Sequence, residues 1–503
     1  MLLLLLAGTR ATFAQEGGEG RTPVWQLGAS ATLSATDNAQ ASPINPQSGI
    51  GTEIELDAHV NLPYRRLRGM ADLSLYGMAS HSDGTTYRRS GDLRAGFNAE
   101  LIESHAFLDL AATYGMQLGS VFNSPERSLL IDNDNRLYTA NITVSPVLRW
   151  RLGEGGRAEA RLTDSTTKVK GSDVGDVHSQ AGSLLLDSGV RARSATWKGQ
   201  AFGAIYDPDE GRRTTEALVR GDAGWAFDAE TVVSLVAGRE GNDFDSSRRI
   251  YNTLYGMSLD YRPNERTRFY AEALQRFFGT GHTALLSYRL PQFALLAASS
   301  RTNSRPGLGL EDPNAFHYGS AYDVLFLQLA SVEPDVDRRR VLVIDLLRTN
   351  GIDPTQAVNP QLTTSGVLLV ENHSVSATWA GVRNTITIAL SGGSSRRLDS
   401  LVSLPVSDQF IAEERIDQVG VQLLWFRRLT PSDDLSAFVG WNRAEGSVTQ
   451  RRATSQGGQL LWSRKVGTRS TFSTRLSHQR FEELTTASSY SMNIVACEYR
   501  VRF

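Results

Sequence analysis

The chain has 503 residues, of which 40% are hydrophobic and 21% are charged, and its formal net charge is −2. This composition is sufficient for a sizeable folded core and excludes an intrinsically disordered protein. The near-neutral charge gives no case for a nucleic-acid partner. The single cysteine, Cys497, excludes an internal disulfide and a thiolate metal cage.

Residues 1–14 have the pattern of a secretory signal peptide. A run of leucines is followed by Thr12-Phe13-Ala14, with small residues at the first and last of these positions, as signal peptidase prefers. Cleavage is expected after Ala14, and export follows from it. No basic residue precedes the leucines, and Arg10 interrupts the apolar stretch. A true N-terminal start further upstream therefore stays open as an alternative. No later apolar run approaches the roughly 18 residues that a spanning helix needs.

Alternation of apolar and polar residues recurs along most of the remaining chain. In the segment TEIELDAHVNL (52–62), every second residue is apolar and the residues between them are carboxylates, histidine or asparagine. A strand places all of the polar side chains on one face, whereas a helix would scatter them. The last residues follow the same rule, because Phe503, Val501 and Tyr499 alternate with Arg502 and Arg500.

The length and the connections of these strands indicate a membrane barrel. A soluble β-sandwich or β-helix is the alternative, but its strands are typically about five or six residues long. Here the strands run to about 10 or more, aromatic residues such as Tyr138 and Trp150 lie near their ends, and short joins alternate with longer polar joins. The predicted fold is therefore all-β. Residues 15–503 form one transmembrane antiparallel β-barrel of the bacterial outer membrane, with about 18–22 strands and a helical insertion.

The C-terminal strand carries a predicted assembly signal. The last strand must pair with the first, because a bilayer does not tolerate an open sheet edge. A terminal aromatic residue with apolar residues at alternate positions before it resembles the signals of outer-membrane assembly, so we assign this role to Phe503, Val501 and Tyr499. The expected partners are outer-membrane lipids and the barrel assembly machinery.

Residues 301–364 interrupt the regular succession of strands and joins. Within this join, EPDVDRRRVLVIDLLRTNG (333–351) has a proline and two aspartates at its start, a periodic apolar stripe and a closing glycine, which predicts a helix. Two interpretations stay open. The segment is either an external loop domain or a plug in the lumen, where Arg338, Arg339 and Arg340 would meet carboxylates of the wall.

Several segments carry a resemblance to a known family, and the strongest are the RFFG strand and the PDVDRRR helix. The segments are ATDN (35–38), AELIESHAFLDLAA (99–112), ITVSPVLRWRLG (142–153), LLDSG (185–189), ERTRFYAEALQRFFG (265–279) and PDVDRRRVLVIDLL (334–347). In their order and spacing, the chain resembles the outer-membrane β-barrel proteins associated with the PEP-CTERM/exosortase system and exopolysaccharide gene clusters. The resemblance implies an outer-membrane location and a role beside polysaccharide production or export. It supplies no catalytic residues.

No pattern of a catalytic, cofactor or metal site emerges. The eight histidines show no HExxH or paired metal-ligand spacing. FFGTGH (277–282) lacks the Gly-Lys-Ser/Thr ending of a phosphate loop, so it is interpreted as a hairpin tip. DNDN (132–135) lacks the remaining ligands of a calcium loop and is interpreted as a solvated turn. No catalytic residue, cofactor or metal is therefore predicted, and the protein is not expected to be an enzyme.

Three functions follow from this architecture. The leading one is a conduit or scaffold for exopolysaccharide export or biosynthesis, with a periplasmic polysaccharide-export protein and the polysaccharide as partners. The alternative is a general diffusion porin for small solutes, and a barrel-embedded hydrolase is the remote third. The inward-facing charges are acidic near 53–57 and basic near 149–151, which argues against simple ion selectivity. Gene neighbourhood would separate the first two functions.

Overall fold

The computed structural model describes residues 23–503, apart from positions 83, 154, 172–174, 190–194, 229, 305–342, 344–363, 365, 400, 402–407 and 486–487. The predicted signal peptide lies outside the described residues. So do nearly all of the 301–364 insertion and the three arginines of its predicted helix, Arg338, Arg339 and Arg340. The interpretation of that insertion as a plug or as an external domain stays a prediction.

Twenty-two antiparallel strands follow one another along the described chain. In chain order they are β1 (Val24–Thr36), β2 (Gly49–Pro63), β3 (Leu67–His81), β4 (Thr85–Ile102), β5 (Ala106–Leu118), β6 (Arg136–Leu152), β7 (Gly156–Lys170), β8 (Val177–Asp187), β9 (Ala195–Pro208), β10 (Thr214–Ala226), β11 (Thr231–Asn242), β12 (Ile250–Asn264), β13 (Thr267–Arg276), β14 (Gly279–Leu290), β15 (Phe293–Ser304), β16 (Leu368–Ala380), β17 (Asn384–Arg397), β18 (Arg415–Arg428), β19 (Asp433–Gly446), β20 (Arg452–Lys465), β21 (Ser470–Glu483) and β22 (Ser488–Arg502). A single 3₁₀ turn, Gln409–Ile411, lies between β17 and β18 in the described part of the chain.

The sheet closes on itself. Each strand pairs with its neighbours in sequence, and β22 also pairs with β1, with Val501 opposite Ala29 and Val495 opposite Ala35. The backbone N–H of Phe503 donates to the carbonyl of Leu27 at 2.8 Å and extends this pairing to the last residue. None of the described strands is left as an edge, which is the condition for a sheet to span a bilayer. The predicted antiparallel barrel, including its upper strand number, is confirmed.

The outward face of the barrel is apolar and bordered by aromatic residues. Leu33, Ile54 and Met257 are each more than half exposed, as expected for side chains that meet lipid. Seven of the eight tryptophans lie near the same end of the barrel: Trp25, Trp150, Trp197, Trp225, Trp379, Trp425 and Trp462. Such a girdle marks a membrane interface.

The connections orient the barrel. At the end that carries the tryptophans, every join between strands is short. The shortest joins are of the length of 265–266, and the longest is 188–194. At the other end the joins include 37–48, 119–135, 305–367 and 398–414. Outer-membrane barrels keep short turns in the periplasm and longer loops outside, so the tryptophan end is periplasmic. Among the short outer joins, 277–278 forms the predicted hairpin tip, with Gly279 at a φ of 100° that favours glycine.

The inward face is polar and hydrogen-bonded. Thr143 is 6% exposed and shares a hydrogen bond of 3.0 Å with Ser165, whereas Val144 beside it points outward and is 38% exposed. Ser145 and Thr163 make a similar pair at 3.0 Å. The two faces therefore follow the alternation of the sequence.

Among the residues that the structure describes, no helix combines the length and the apolar character needed to cross a membrane.

Candidate functional site

The 119–135 loop, which joins β5 to β6 at the extracellular end, folds into the mouth of the lumen. Its side chains Phe122, Leu130 and Ile131 are no more than 1% exposed, although they belong to an external connection. They are covered because they pack against inward-facing residues of distant strands. The loop thus lies across the lumen instead of extending into solvent.

The apolar cluster that holds this loop draws on both sides of the barrel. Its wall residues come from β3, β16 and β18 to β22, and loop residue Phe410 joins them. The members are Met78, Phe122, Leu129, Leu130, Ile131, Leu368, Phe410, Ile416, Ala444, Ala453, Phe481, Tyr490, Met492 and Ile494. We call this set the mouth cluster. Burying it away from water stabilises the inward position of the loop by the hydrophobic effect.

Two asparagines fix the shape of the loop. The Asn135 side chain accepts from the Ser120 amide at 2.7 Å and donates to the carbonyls of Ser120 and Ser124 at 2.8 and 2.9 Å. The Asn133 amide donates to the carbonyls of Ser124 and Glu126 at 3.1 and 2.7 Å. The DNDN segment, interpreted as a solvated turn, therefore closes the neck of the loop through its asparagines.

Two arginines of the wall bind the loop backbone. Arg88 on β4 donates to the carbonyl of Leu129 and to the Asp132 carboxylate, each at 2.8 Å. Arg136 at the start of β6 donates to the carbonyl of Ile131 at 2.8 Å. These bonds satisfy carbonyl groups that the inward fold removes from water, and leaving such groups unpaired is costly.

The tip of the loop reaches strands of the wall that are distant from β5 and β6. The Ser124 hydroxyl lies 2.6 Å from the Tyr490 hydroxyl on β22. The Arg451 guanidinium, in the loop between β19 and β20, stacks 5.0 Å above the ring of Phe122. Contacts at both the neck and the tip make the loop a bridge across the mouth.

A second apolar cluster occupies another part of the mouth. Phe244 of the 243–249 loop and Val367 pack against Tyr206 on β9, and all three are no more than 2% exposed. The Val367 amide donates to the carboxylate of Asp399 at 2.7 Å. Burial raises the pKa of Asp399, and its hydrogen bond with Arg397 opposes this rise. The described loops thus narrow the mouth from two sides.

A cavity of about 510 Å³ lies beneath the 119–135 loop. Its roof is the loop segment 125–129, and its walls are residues of one continuous arc of strands, β18 to β22 and β1 to β5. This volume is in the range of sites for small molecules. A molecule in the cavity would touch the loop that roofs it.

Ion pairs on the cavity wall join the first and last strands. Arg500 on β22 reaches over β1 to Glu55 on β2 at 2.6 Å, and it also binds Glu498 at 2.8 Å. The hydroxyl of Ser30, on the β1 strand between them, donates to Glu55 at 3.2 Å. We call Arg500, Glu55 and Glu498 the seam clamp, because they span the point where the barrel closes.

Other charges of the described wall are also paired within the lumen. His59 Nδ1 lies 2.7 Å from Asp72 Oδ1, with both side chains about nine-tenths buried. On the far wall, Arg220 binds Glu272 at 2.7 Å, and Arg276 binds Glu240 at 2.7 Å. Pairing of this kind offsets part of the cost of removing charges from water.

The predicted assembly residues lie at the seam and point outward. Phe503 is 69% exposed and Tyr499 is 47% exposed, and Val501 lies between them on the same face of β22. The structure places these side chains together, and their role in assembly stays a prediction. Within the described part of the chain, no group of three or more His, Cys, Asp or Glu side chains is arranged to hold a metal ion.

The sequence interpretation missed the inward fold of residues 119–135, which it treated as an external polar loop. One signal was available. The segment SVFNSPERSLLIDNDN (120–135) contains five bulky apolar residues, which a solvent-exposed loop of that length has little reason to carry. What the segment could not show is where those residues pack.

Similarity to known proteins is confined to solved structures. No protein-family model matches the chain, and no curated protein matches it. Among solved structures, the FrpB iron transporter from Neisseria meningitidis (F5-1 variant) is 8% identical with a TM-score of 0.49, over 96% of this chain and 83% of that chain. The siderophore receptor PiuA from Acinetobacter baumannii is 10% identical with a TM-score of 0.47, over 97% and 82%. The siderophore receptor PirA from Pseudomonas aeruginosa is 10% identical with a TM-score of 0.36, over 95% and 80%.

The protein is a β-barrel of the bacterial outer membrane. Its outward face contacts the lipids of that membrane, as predicted. The similar solved structures are named as transporters and receptors. At such low sequence identity, the similarity bears on the fold alone.

The predicted function is corrected by the same comparisons. The similar solved structures are named as siderophore receptors and iron transporters and not as exopolysaccharide conduits or porins, so the predicted conduit and its porin alternative are corrected. The mouth cluster also disagrees with a diffusion porin, because a porin keeps a continuous water path. A periplasmic polysaccharide-export protein and polysaccharide find no support as partners. These comparisons do not test the resemblance to the PEP-CTERM-associated family, which stays a prediction.

Proposed function

We propose that the protein is a gated outer-membrane transporter that passes a small solute through its lumen and performs no chemistry on it. The observation that carries this proposal is the position of the 119–135 loop, which roofs a cavity of about 510 Å³ on its extracellular side. Movement of the loop would open the cavity to external solute.

The construction of the loop favours a gate over a permanent seal. Its neck is closed by its own residues, since the Gly119 amide donates to the carbonyl of Asn135 at 2.9 Å. Its body, by contrast, is held to the wall by side chains, such as Arg88 and Tyr490, that belong to other strands. The body can therefore leave the wall while the neck and the strands β5 and β6 stay in place.

A loop deletion tests the gate. Residues 121–134 are replaced by two glycines between Ser120 and Asn135, which preserves the strands because barrel stability comes from the closed strand ladder. In planar bilayers we expect low, intermittent conductance from the intact protein and large, steady conductance from the variant. Large, steady conductance from the intact protein, unchanged by the deletion, contradicts the proposal.

A pair of point variants tests the same gate without a deletion. Leu130→Asp places a charge in the mouth cluster, where the side chain is 1% exposed, and should release the loop and raise conductance. Ile44→Asp is the matched control, since Ile44 lies in the 37–48 loop and is 76% exposed. Equal conductance of the two variants would argue against a role of the mouth cluster in closure.

A further inference from the structure

The outward face of the barrel carries a group of arginines at its extracellular end. Four neighbouring strands, β17 to β20, contribute one arginine each: Arg396, Arg415, Arg443 and Arg452. We call these four residues the arginine patch. They face outward because each lies an even number of residues from an apolar side chain of its own strand that is 40–54% exposed: Leu390, Val421, Val439 and Leu460.

The arginine patch lies at the height of the headgroups of the outer leaflet. On β18, Arg415 lies ten residues from Trp425 of the periplasmic girdle. On β20, Arg452 lies ten residues from Trp462. At about 3.3 Å per residue and a tilt of about 40°, ten residues span about 25 Å along the membrane normal. The apolar band of an outer-membrane barrel is about 25 Å tall, so these arginines lie at its extracellular border.

A basic residue at this height is not a general feature of the barrel. The other five girdle tryptophans also lie ten residues from an outward position near the extracellular end of their strands. Those positions are occupied by Ala35, Ala140, Asp207, Thr215 and Leu369. None of these five residues is basic, so among the seven strands that carry a girdle tryptophan only β18 and β20 place an arginine there.

The arginine patch has an excess of positive charge. The Asp417 carboxylate lies 2.8 Å from Arg415. The Glu445 carboxylate accepts from Arg443 at 2.6 Å and from Arg452 at 2.9 Å. These two carboxylates hold three of the four guanidinium groups in place without neutralising the patch. Each guanidinium has five N–H donors, so donors remain for a further acceptor.

Two members of the patch repel each other. Arg396 and Arg415 are direct partners in the register of β17 and β18, which places their Cα atoms about 5 Å apart on the same face. Like charges at directly opposite positions destabilise a sheet. Arg396 is exposed, and none of the described residues forms a hydrogen bond or an ion pair with its side chain. An anion bound between the two guanidinium groups would remove the repulsion.

We propose that the arginine patch binds the phosphorylated headgroup of lipopolysaccharide. This lipid forms the outer leaflet of the outer membrane, and its sugars carry phosphates at the height of the patch. Guanidinium groups bind phosphate oxygens through paired N–H donors. The four strands span about 14 Å at about 4.8 Å between neighbours, which is wide enough for a sugar headgroup. Below the arginines, Val421 and Val439 are 40% and 54% exposed and offer apolar surface to the acyl chains. The proposal concerns the outer wall and does not depend on the gate.

Calorimetry of the intact protein tests the proposal. Lipopolysaccharide dissolved in maltoside is titrated into protein refolded in micelles of the same detergent. We expect saturable binding, and about tenfold weaker binding when Arg415→Gln and Arg452→Gln are combined, because charge-assisted hydrogen bonds to phosphate are lost. Arg427→Gln combined with Arg464→Gln is the matched control, since it makes the same change of charge on the same strands and face at the periplasmic end. Absence of saturable binding, or equal weakening by the two pairs, would overturn the proposal.

Three further titrations identify the group that is recognised. Arg396→Gln removes a side chain that supports no described contact, so this variant should fold and still bind lipopolysaccharide more weakly. Lipopolysaccharide stripped of its phosphates should also bind more weakly to the unaltered protein, whereas inorganic phosphate alone should not saturate the patch. Unchanged binding of the stripped lipid or by Arg396→Gln would overturn the proposal. Saturable binding of inorganic phosphate that is lost in the Arg415 and Arg452 variant would assign the patch to free phosphate instead.

Discussion

The barrel wall and the 119–135 loop are held by different interactions. In the wall, backbone hydrogen bonds join every strand to two neighbours, including β22 to β1. In the loop, side chains such as Arg88 and Asn135 bind backbone groups, and apolar residues fill the mouth. The wall is therefore one cooperative unit, whereas the loop can be released without unfolding it. Each of the following variants is directed at one side of this difference.

Loss of the last residue should have the largest effect, because it acts on closure of the wall. Deleting Phe503 removes the hydrogen bond to Leu27 and the terminal aromatic of the predicted assembly signal. We expect most of the folded, heat-modifiable band on a gel to disappear, while Phe503→Tyr keeps it. An equally strong folded band in the deletion would reject the assembly role.

A charge on the outward face should be the next most damaging change. Leu476 on β21 is 48% exposed toward lipid, and Leu476→Arg should lower the free energy of unfolding in lipid vesicles by about 2–4 kcal/mol if it lies near the midplane. Its neighbour Ser477 lines the cavity, so Ser477→Arg should cost far less. Equal losses would mean that the two faces of β21 do not differ in environment.

A change in the loop neck should affect the gate and spare the wall. Asn135→Ala removes the side chain that binds Ser120, at a cost of about 1–3 kcal/mol to the closed loop. We expect openings in planar bilayers to become about tenfold more frequent, with an unchanged melting temperature of the barrel. Asp134→Ala, at an exposed position of the same loop, serves as the control. A lower melting temperature without added openings would place Asn135 in the wall instead.

The contact at the loop tip should give the smallest effect. Ser124→Ala and Tyr490→Phe each remove one hydroxyl of a pair 2.6 Å apart. A double-mutant cycle on the opening equilibrium should give a coupling free energy of about 0.5–1.5 kcal/mol. A coupling near zero would show that this contact does not hold the loop.

The wall could be predicted from the sequence because its rule is local. Whether Val144 faces lipid and Thr143 faces the lumen depends only on alternation along β6, and in the structure Val144 is 38% exposed on the outward face whereas Thr143 is 6% exposed on the inward face. The strand rhythm and the pairing of β22 with β1 follow from the same rule and from the need to close the sheet.

The site could not be predicted in the same way because its contacts are not local. Ser124 and Tyr490 are 366 residues apart in sequence, and neither segment contains a pattern that identifies the other as its partner. The same holds for Arg500 and Glu55, which meet only because closure brings β22 beside β1. Alternation assigns each of these residues to a face, but the partner on that face depends on the register and curvature of the complete barrel.

The seam clamp has a kinetic consequence. Arg500 and Glu55 become neighbours only after the last strand has been laid beside the first, so their contact forms late in folding. Interactions that are absent from the transition state slow unfolding with little effect on the folding rate. The clamp should thus lengthen the lifetime of the finished barrel, in a membrane compartment where a protein that comes apart has to be inserted anew.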